Sequence, residues 1–120
     1  MSKKRIVSTL GQSSKFKEIV QQLKAQNNHF QISNLVGSSL SFAIAATFKQ
    51  IEKPFLLLFS DKEEAAYHLN DLEELIGERN VLFYPGSYRR PYQIEETDNA
   101  NVLLRAEVLN RINSRKKPVI

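Results

Sequence analysis

The chain has 120 residues, 42% hydrophobic and 25% charged, the balance of one ordinary globular domain or of part of a larger one. No apolar run approaches the roughly 20 residues that cross a bilayer, residues 6–10 are too short and too polar for a signal-peptide core, and the lack of cysteine excludes a disulfide framework and thiolate metal sites and fits a reducing cytoplasm. The net charge of +4 sits at the ends, in Lys3-Lys4-Arg5 and Arg115-Lys116-Lys117; setting those six aside leaves 11 basic against 13 acidic residues, so the body of the domain is not a basic platform for nucleic acid.

Residues 1–28 read as a basic tail followed by a helix. Ser13-Ser14 can cap that helix, and Phe16, Ile19, Val20 and Leu23 recur at helical spacing before Asn27-Asn28 interrupts it. Residues 29–120 read as the first part of an α/β domain. Phe30-Gln31-Ile32-Ser33 alternates like a short strand and runs into a turn of small residues at 35–39. Residues 40–51 are apolar on most faces, which predicts a helix buried against a sheet.

After Pro54, the run Phe55-Leu56-Leu57-Leu58-Phe59 suits an interior strand of a parallel sheet. Asp61 and Glu64 form a capping-box-like pair, the helix they open places Ala65, Leu69, Leu72 and Ile76 on one face, and Gly77 is placed to end it. Residues 80–84 read as another strand, Pro85-Gly86-Ser87 as a turn and 88–96 as a loop. Thr97 or Asp98 caps a last helix with Val102, Ala106, Leu109 and either Ile112 or Asn113 along one stripe, and Pro118-Val119-Ile120 looks like a truncated strand. Strands alternating with helices predict a three-layer α/β fold: a parallel sheet, incomplete at its last strand, with helices on both faces. A bare apolar sheet edge is a liability, so the chain reads as a fragment completed by later residues.

A phosphate-binding loop would follow the first strand of such a fold: glycine, four residues, then Gly-Lys-Ser/Thr opening a helix. Alignment places Asn34 at the first glycine, Gly37 and Ser38 within the loop, Ser39 at the second glycine, Leu40 at the lysine and Ser41 at the Mg²⁺-binding hydroxyl. Leu40 brings no charge to a triphosphate, and Ser39 lacks the conformational freedom of glycine. The loop is degenerate; a helix-capping turn is the simpler reading of Gly37-Ser38-Ser39, with at most weak anion attraction at the helix end.

The segment Asn34-Leu35-Val36-Gly37-Ser38-Ser39-Leu40-Ser41-Phe42-Ala43 resembles the degenerate loop at the front of bacterial transcription-repair coupling factors, whose amino-terminal module is similar to excinuclease B. The resemblance continues through residues 54–59 and 61–66, Val81-Leu82-Phe83-Tyr84-Pro85, Arg90-Pro91-Tyr92 and Leu104-Arg105-Ala106-Glu107-Val108-Leu109, covering about residues 30–120. It implies a parent that is an ATP-driven DNA translocase, with ATP and Mg²⁺ held in distant motor domains. Such a parent displaces stalled RNA polymerase and recruits nucleotide-excision repair through excinuclease A. For this segment the resemblance implies no catalytic residues, no cofactor of its own, packing against later domains of the parent, no membrane, and a place in the cytoplasm.

Tyr84, Tyr88, Arg89, Arg90 and Tyr92 interleave aromatic and basic residues, the combination that stacks on bases and neutralises phosphates. The tyrosine-rich hairpin of excinuclease B is missing here, since Pro91 is followed almost at once by Glu95-Glu96; the plainer reading packs the tyrosines over the domain and leaves the arginines in water. His29 and His68 are the only histidines. His68 has Glu64 and Asp71 within a turn but no metal-ligand spacing, and it reads as a half-exposed helix residue; neither histidine has a serine placed beside it for nucleophilic catalysis. The pairs Glu63-Glu64, Glu73-Glu74 and Glu95-Glu96 read as solvated faces and caps. Two alternatives to a scaffold segment therefore stand: a nucleotide-binding ATPase domain with an aberrant loop, and a DNA-binding module built on Arg89, Arg90 and the tyrosines.

Overall fold

The structure is a computed structural model that describes residues 2–25, 29–86, 99–114 and 119–120. Among the described residues five helices carry the fold: α1 (Lys3–Gln12), α2 (Ser14–Lys24), α3 (Ser39–Gln50), α4 (Lys62–Ile76) and α5 (Asn99–Asn113), with a 3-10 turn at Glu78–Asn80. The first basic cluster is not a tail. Ser2 caps α1 by accepting the Arg5 N–H, Val7 is buried, and Leu10 packs against the core. Ser13 then does two jobs. Its N–H bonds the Leu10 carbonyl, ending α1, and its hydroxyl accepts the Phe16 N–H at 3.3 Å, opening α2.

Helix α3 is central, in contact with both α1 and α4. Its buried positions are the small residues Ser41, Ala45, Ala46 and Thr47, which let its neighbours approach closely. Helix α4 adds Leu72 and Leu75, α2 adds Phe16 and Val20, and Ile51 and Val81 complete the buried cluster. Asp61 caps α4 through the Glu64 N–H at 2.7 Å, while the Glu64 carboxylate takes the Ser60 hydroxyl at 2.9 Å. Gly77 stops the helix at φ 92°, a conformation that suits glycine. Asp61→Ala removes the cap from the longest helix that packs on α3 and is expected to cost about 1 kcal/mol, read as a lowered urea midpoint.

The predicted three-layer parallel sheet is not formed: among the described residues no strand and no sheet exist, and the fold is helical. The segments expected to pair are extended, but they share too few peptide bonds. Phe55 N–H donates to the Val119 carbonyl at 3.0 Å, Ile120 N–H to Asn80 at 2.9 Å, and Leu82 N–H to Ile120 at 2.8 Å. Val119 and Ile120 supply only enough groups for these contacts, and residues 30–33 take part in no backbone hydrogen bond among the described residues. Extended character without a ladder is what remains. Phe55, Leu57 and Phe59 turn inward in part, whereas Leu56 and Leu58 are 83% and 85% exposed.

The last helix also departs from expectation. Val108 is its buried residue, while Val102, Leu109 and Ile112 of the predicted stripe are exposed. Helix α5 is held by polar reach instead: the Arg105 guanidinium lies 4.9 Å from the centre of the Tyr84 ring, and Arg111 donates to the Arg79 carbonyl. Thr97 and Asp98, the proposed caps, and Asn27-Asn28 lie outside the described residues.

Candidate functional site

The turn before α3 is where the sequence pattern would place a phosphate. Its backbone is unusual for its residues. Asn34 has φ 66° and Gly37 φ 56°, and Asn34 is the one non-glycine residue at positive φ among those described. The turn closes through Ser39 N–H and the Ser39 hydroxyl, both donating to the Val36 carbonyl, the hydroxyl at 2.8 Å. Ser38 stands at the cap position of α3 with helical backbone angles and no capping side-chain bond.

Two hydroxyls, those of Ser38 and Ser41, are directed into α4. Ser38 Oγ and the Tyr67 hydroxyl are 2.5 Å apart, and Ser41 Oγ lies 2.7 Å from His68 Nδ1. Ser41 is fully enclosed at 0% exposure and His68 is 5% exposed. The Phe59 ring stacks on the His68 imidazole with centroids 4.8 Å apart, and Tyr67 meets the same ring edge-on at 5.2 Å. His68 is therefore not a half-exposed residue: it is a buried polar link between α3 and α4. Sequence spacing could not show this, because Ser41 lies 27 positions away. The usable signal was a largely apolar helix, α3, in which Ser39 and Thr47 can satisfy their hydroxyls on nearby carbonyls while a buried Ser41 needs a partner from elsewhere.

Leu40 faces the other way. It lines an apolar cleft of about 490 Å³ together with Leu10, Phe16, Phe30, Leu35 and Phe42. At the position where a phosphate loop carries an ammonium, this chain has a packing side chain. Ser39 borders the same cleft. Of the loop residues Gly37, Ser38, Ser39, Leu40 and Ser41, the geometry gathers the hydroxyls of Ser38 and Ser41 on α4 and turns Leu40 away from them.

The second candidate, Tyr88, Arg89, Arg90 and Tyr92, lies outside the described residues, as do the acidic pair Glu95-Glu96 and Arg115, Lys116 and Lys117. Tyr84, its neighbour in sequence, is half exposed and covered on one side by Arg105. His29 is exposed, and no group of three or more metal-ligating side chains occurs among the described residues. Of the acidic pairs, Glu64 serves the start of α4 and Glu74 pairs with Lys3. No described helix is long and apolar enough to cross a membrane.

Comparison with known proteins finds one relationship. The chain is 25% identical over 115 residues to the transcription-repair-coupling factor of Bacillus subtilis (strain 168), a match that covers 96% of this chain and 10% of the relative. The chain thus spans about a tenth of the length of the protein it resembles. No family model matches, and no solved structure matches.

Proposed function

We propose that this chain is an amino-terminal, non-catalytic segment of a transcription-repair coupling factor and acts there as a scaffold. The match to the Bacillus subtilis factor along almost the whole chain supports the family. The observation that carries the non-catalytic reading is the fate of Ser41. The hydroxyl that would hold Mg²⁺ in a working phosphate loop is enclosed and bonded to His68, and Leu40 packs into an apolar cleft. A triphosphate at this turn would meet neither an ammonium nor a free hydroxyl. The translocase activity, the ATP and Mg²⁺ that drive it, and contacts with DNA, RNA polymerase and excinuclease A then belong to other parts of the parent, against which this segment packs in the cytoplasm.

A chimera tests the family reading. The matching 115 residues of the Bacillus subtilis factor are replaced by this chain, and strand-specific repair of a transcribed gene is measured. Preserved preference for the transcribed strand is expected; its loss, with the chimera present at normal abundance, would reject the assignment. Calorimetry with Mg·ATP tests the non-catalytic reading, for which no heat of binding is expected at micromolar protein. Leu40→Lys is expected to create no ATP turnover in a coupled-enzyme assay, because Ser41 stays bonded to His68 and Ser39 still stands where a glycine is needed.

A further inference from the structure

A second cleft, of about 350 Å³, lies between α1 and α3. Lys4, Ser8 and Gly11 form the stripe of α1 along it, and Ala46, Lys49 and Gln50 the facing stripe of α3. Its floor is apolar, with Val7 and Ala46 each 2% exposed. Its rim is cationic. Helix α1 carries Lys3, Lys4 and Arg5, α3 carries Lys49, and neither helix has an acidic residue. Glu74 of α4 takes the Lys3 ammonium, whereas Lys4 and Lys49, exposed and on opposite walls, have no carboxylate partner among the described residues. Because α1 is a packed helix and not a tail, Lys4 is held in place relative to Lys49. The Gln50 side chain donates to the Gly11 carbonyl at 3.1 Å; a Cβ at Gly11 would stand 2.6 Å from Gln50 Nε2, so glycine is what admits this approach. The amide oxygen of Gln50 is left as an acceptor.

We propose that this cleft binds an acidic segment of a partner protein, with carboxylates set against Lys4 and Lys49 and one small aliphatic side chain between them, over Val7 and Ala46. Charge complementarity fixes the sign of the occupant: a segment without negative charge would cover two ammonium groups and compensate neither. The apolar floor and the Gln50 oxygen select a polypeptide over a nucleic acid. A phosphate backbone has no N–H to give to an amide oxygen and gains little from aliphatic walls, whereas a polypeptide supplies both a backbone donor and a methyl-bearing side chain. Bases would also lack a stacking platform. Phe16 is buried, Phe42 and Phe48 are half-buried, and α1, α2 and α3 hold no other aromatic residue. This site is separate from the turn at Gly37 and does not rest on the function proposed above.

Fluorescence anisotropy on the 120-residue chain tests the proposal, with a fluorescein-labelled peptide of about 12 residues in which glutamates flank a central valine. A dissociation constant on the order of 100 μM is expected at about 50 mM salt, weakening about tenfold at about 500 mM. Replacing the central valine of the peptide with asparagine should weaken binding about fivefold. Lys4→Glu with Lys49→Glu should abolish binding of this peptide and confer binding of its counterpart with lysines in place of the glutamates. Absence of binding would overturn the proposal, as would binding indifferent to the two charge changes. Tighter binding of a thymidine oligonucleotide of similar length, lost in the same variant, would overturn it too by assigning the cleft to nucleic acid. If the variant loses its helical circular dichroism spectrum, the unaltered chain decides: the peptide should shift the amide resonances of Ser8, Gly11 and Ala46 and leave that of Val36 unmoved, and shifts confined to other residues would reject the site.

Discussion

Leu72→Ala is expected to lower stability by about 3 kcal/mol, moving the urea midpoint down by about 2 M. Leu72 is 1% exposed and is among the largest fully enclosed side chains. It sits on α4 within the buried cluster that α1, α2, α3 and α4 share, so the cavity left by truncation has walls on several helices and closes poorly. For a chain of this size the loss is a large part of the whole, since small domains are stable by only about 5–15 kcal/mol. Val36→Ala supplies the control. Val36 is 82% exposed, and its truncation is expected to change stability by less than about 0.5 kcal/mol. Equal effects of the two changes would mean that α4 does not pack as described.

His68→Leu is expected to cost about 2 kcal/mol, and the same change made together with Ser41→Ala should cost markedly less. Leucine fills much of the volume of the imidazole but leaves the Ser41 hydroxyl enclosed without its partner, and the stacking on Phe59 is lost. Removing both polar groups converts the contact between α3 and α4 into an apolar one, which proteins tolerate better than half of a buried pair. A double-mutant cycle by urea unfolding measures the coupling; strictly additive losses would show that the 2.7 Å contact contributes nothing.

Local signals in the sequence were reliable wherever the chain decides its structure within a few residues. Ser13, Asp61 and Gly77 mark helix ends because capping geometry is a contact between near neighbours. The apolar stripes of α2 and α4 were legible for the same reason, and Phe16, Val20 and Leu72 are buried as their spacing implies. What failed required partners distant in sequence. The apolar run at 55–59 is extended, as its composition suggests, but a sheet needs neighbours with enough peptide groups, and Val119 and Ile120 provide three bonds between them and the flanking segments. On α5 the spacing of Val102, Leu109 and Ile112 suggested a buried stripe, yet Val108 faces inward and the charged ends of Arg105 and Arg111 do the anchoring. At the candidate site the replacement of lysine by Leu40 was visible in the sequence. The capture of Ser41 by His68 was not, since no periodicity links α3 to α4.

Helix α1 carries a practical lesson for anyone handling the molecule. Lys3 reaches Glu74 on α4, Val7 is 2% exposed, and the Gln50 side chain donates to the Gly11 carbonyl at 3.1 Å. A stretch that begins Ser-Lys-Lys-Arg invites removal as a dispensable leader, yet shortening the chain from its amino end would uncover Ala45 and Ala46 along the flank of α3. Proteolytic clipping inside the first dozen residues should therefore be followed by precipitation of the remainder and not by release of a smaller, well-behaved particle.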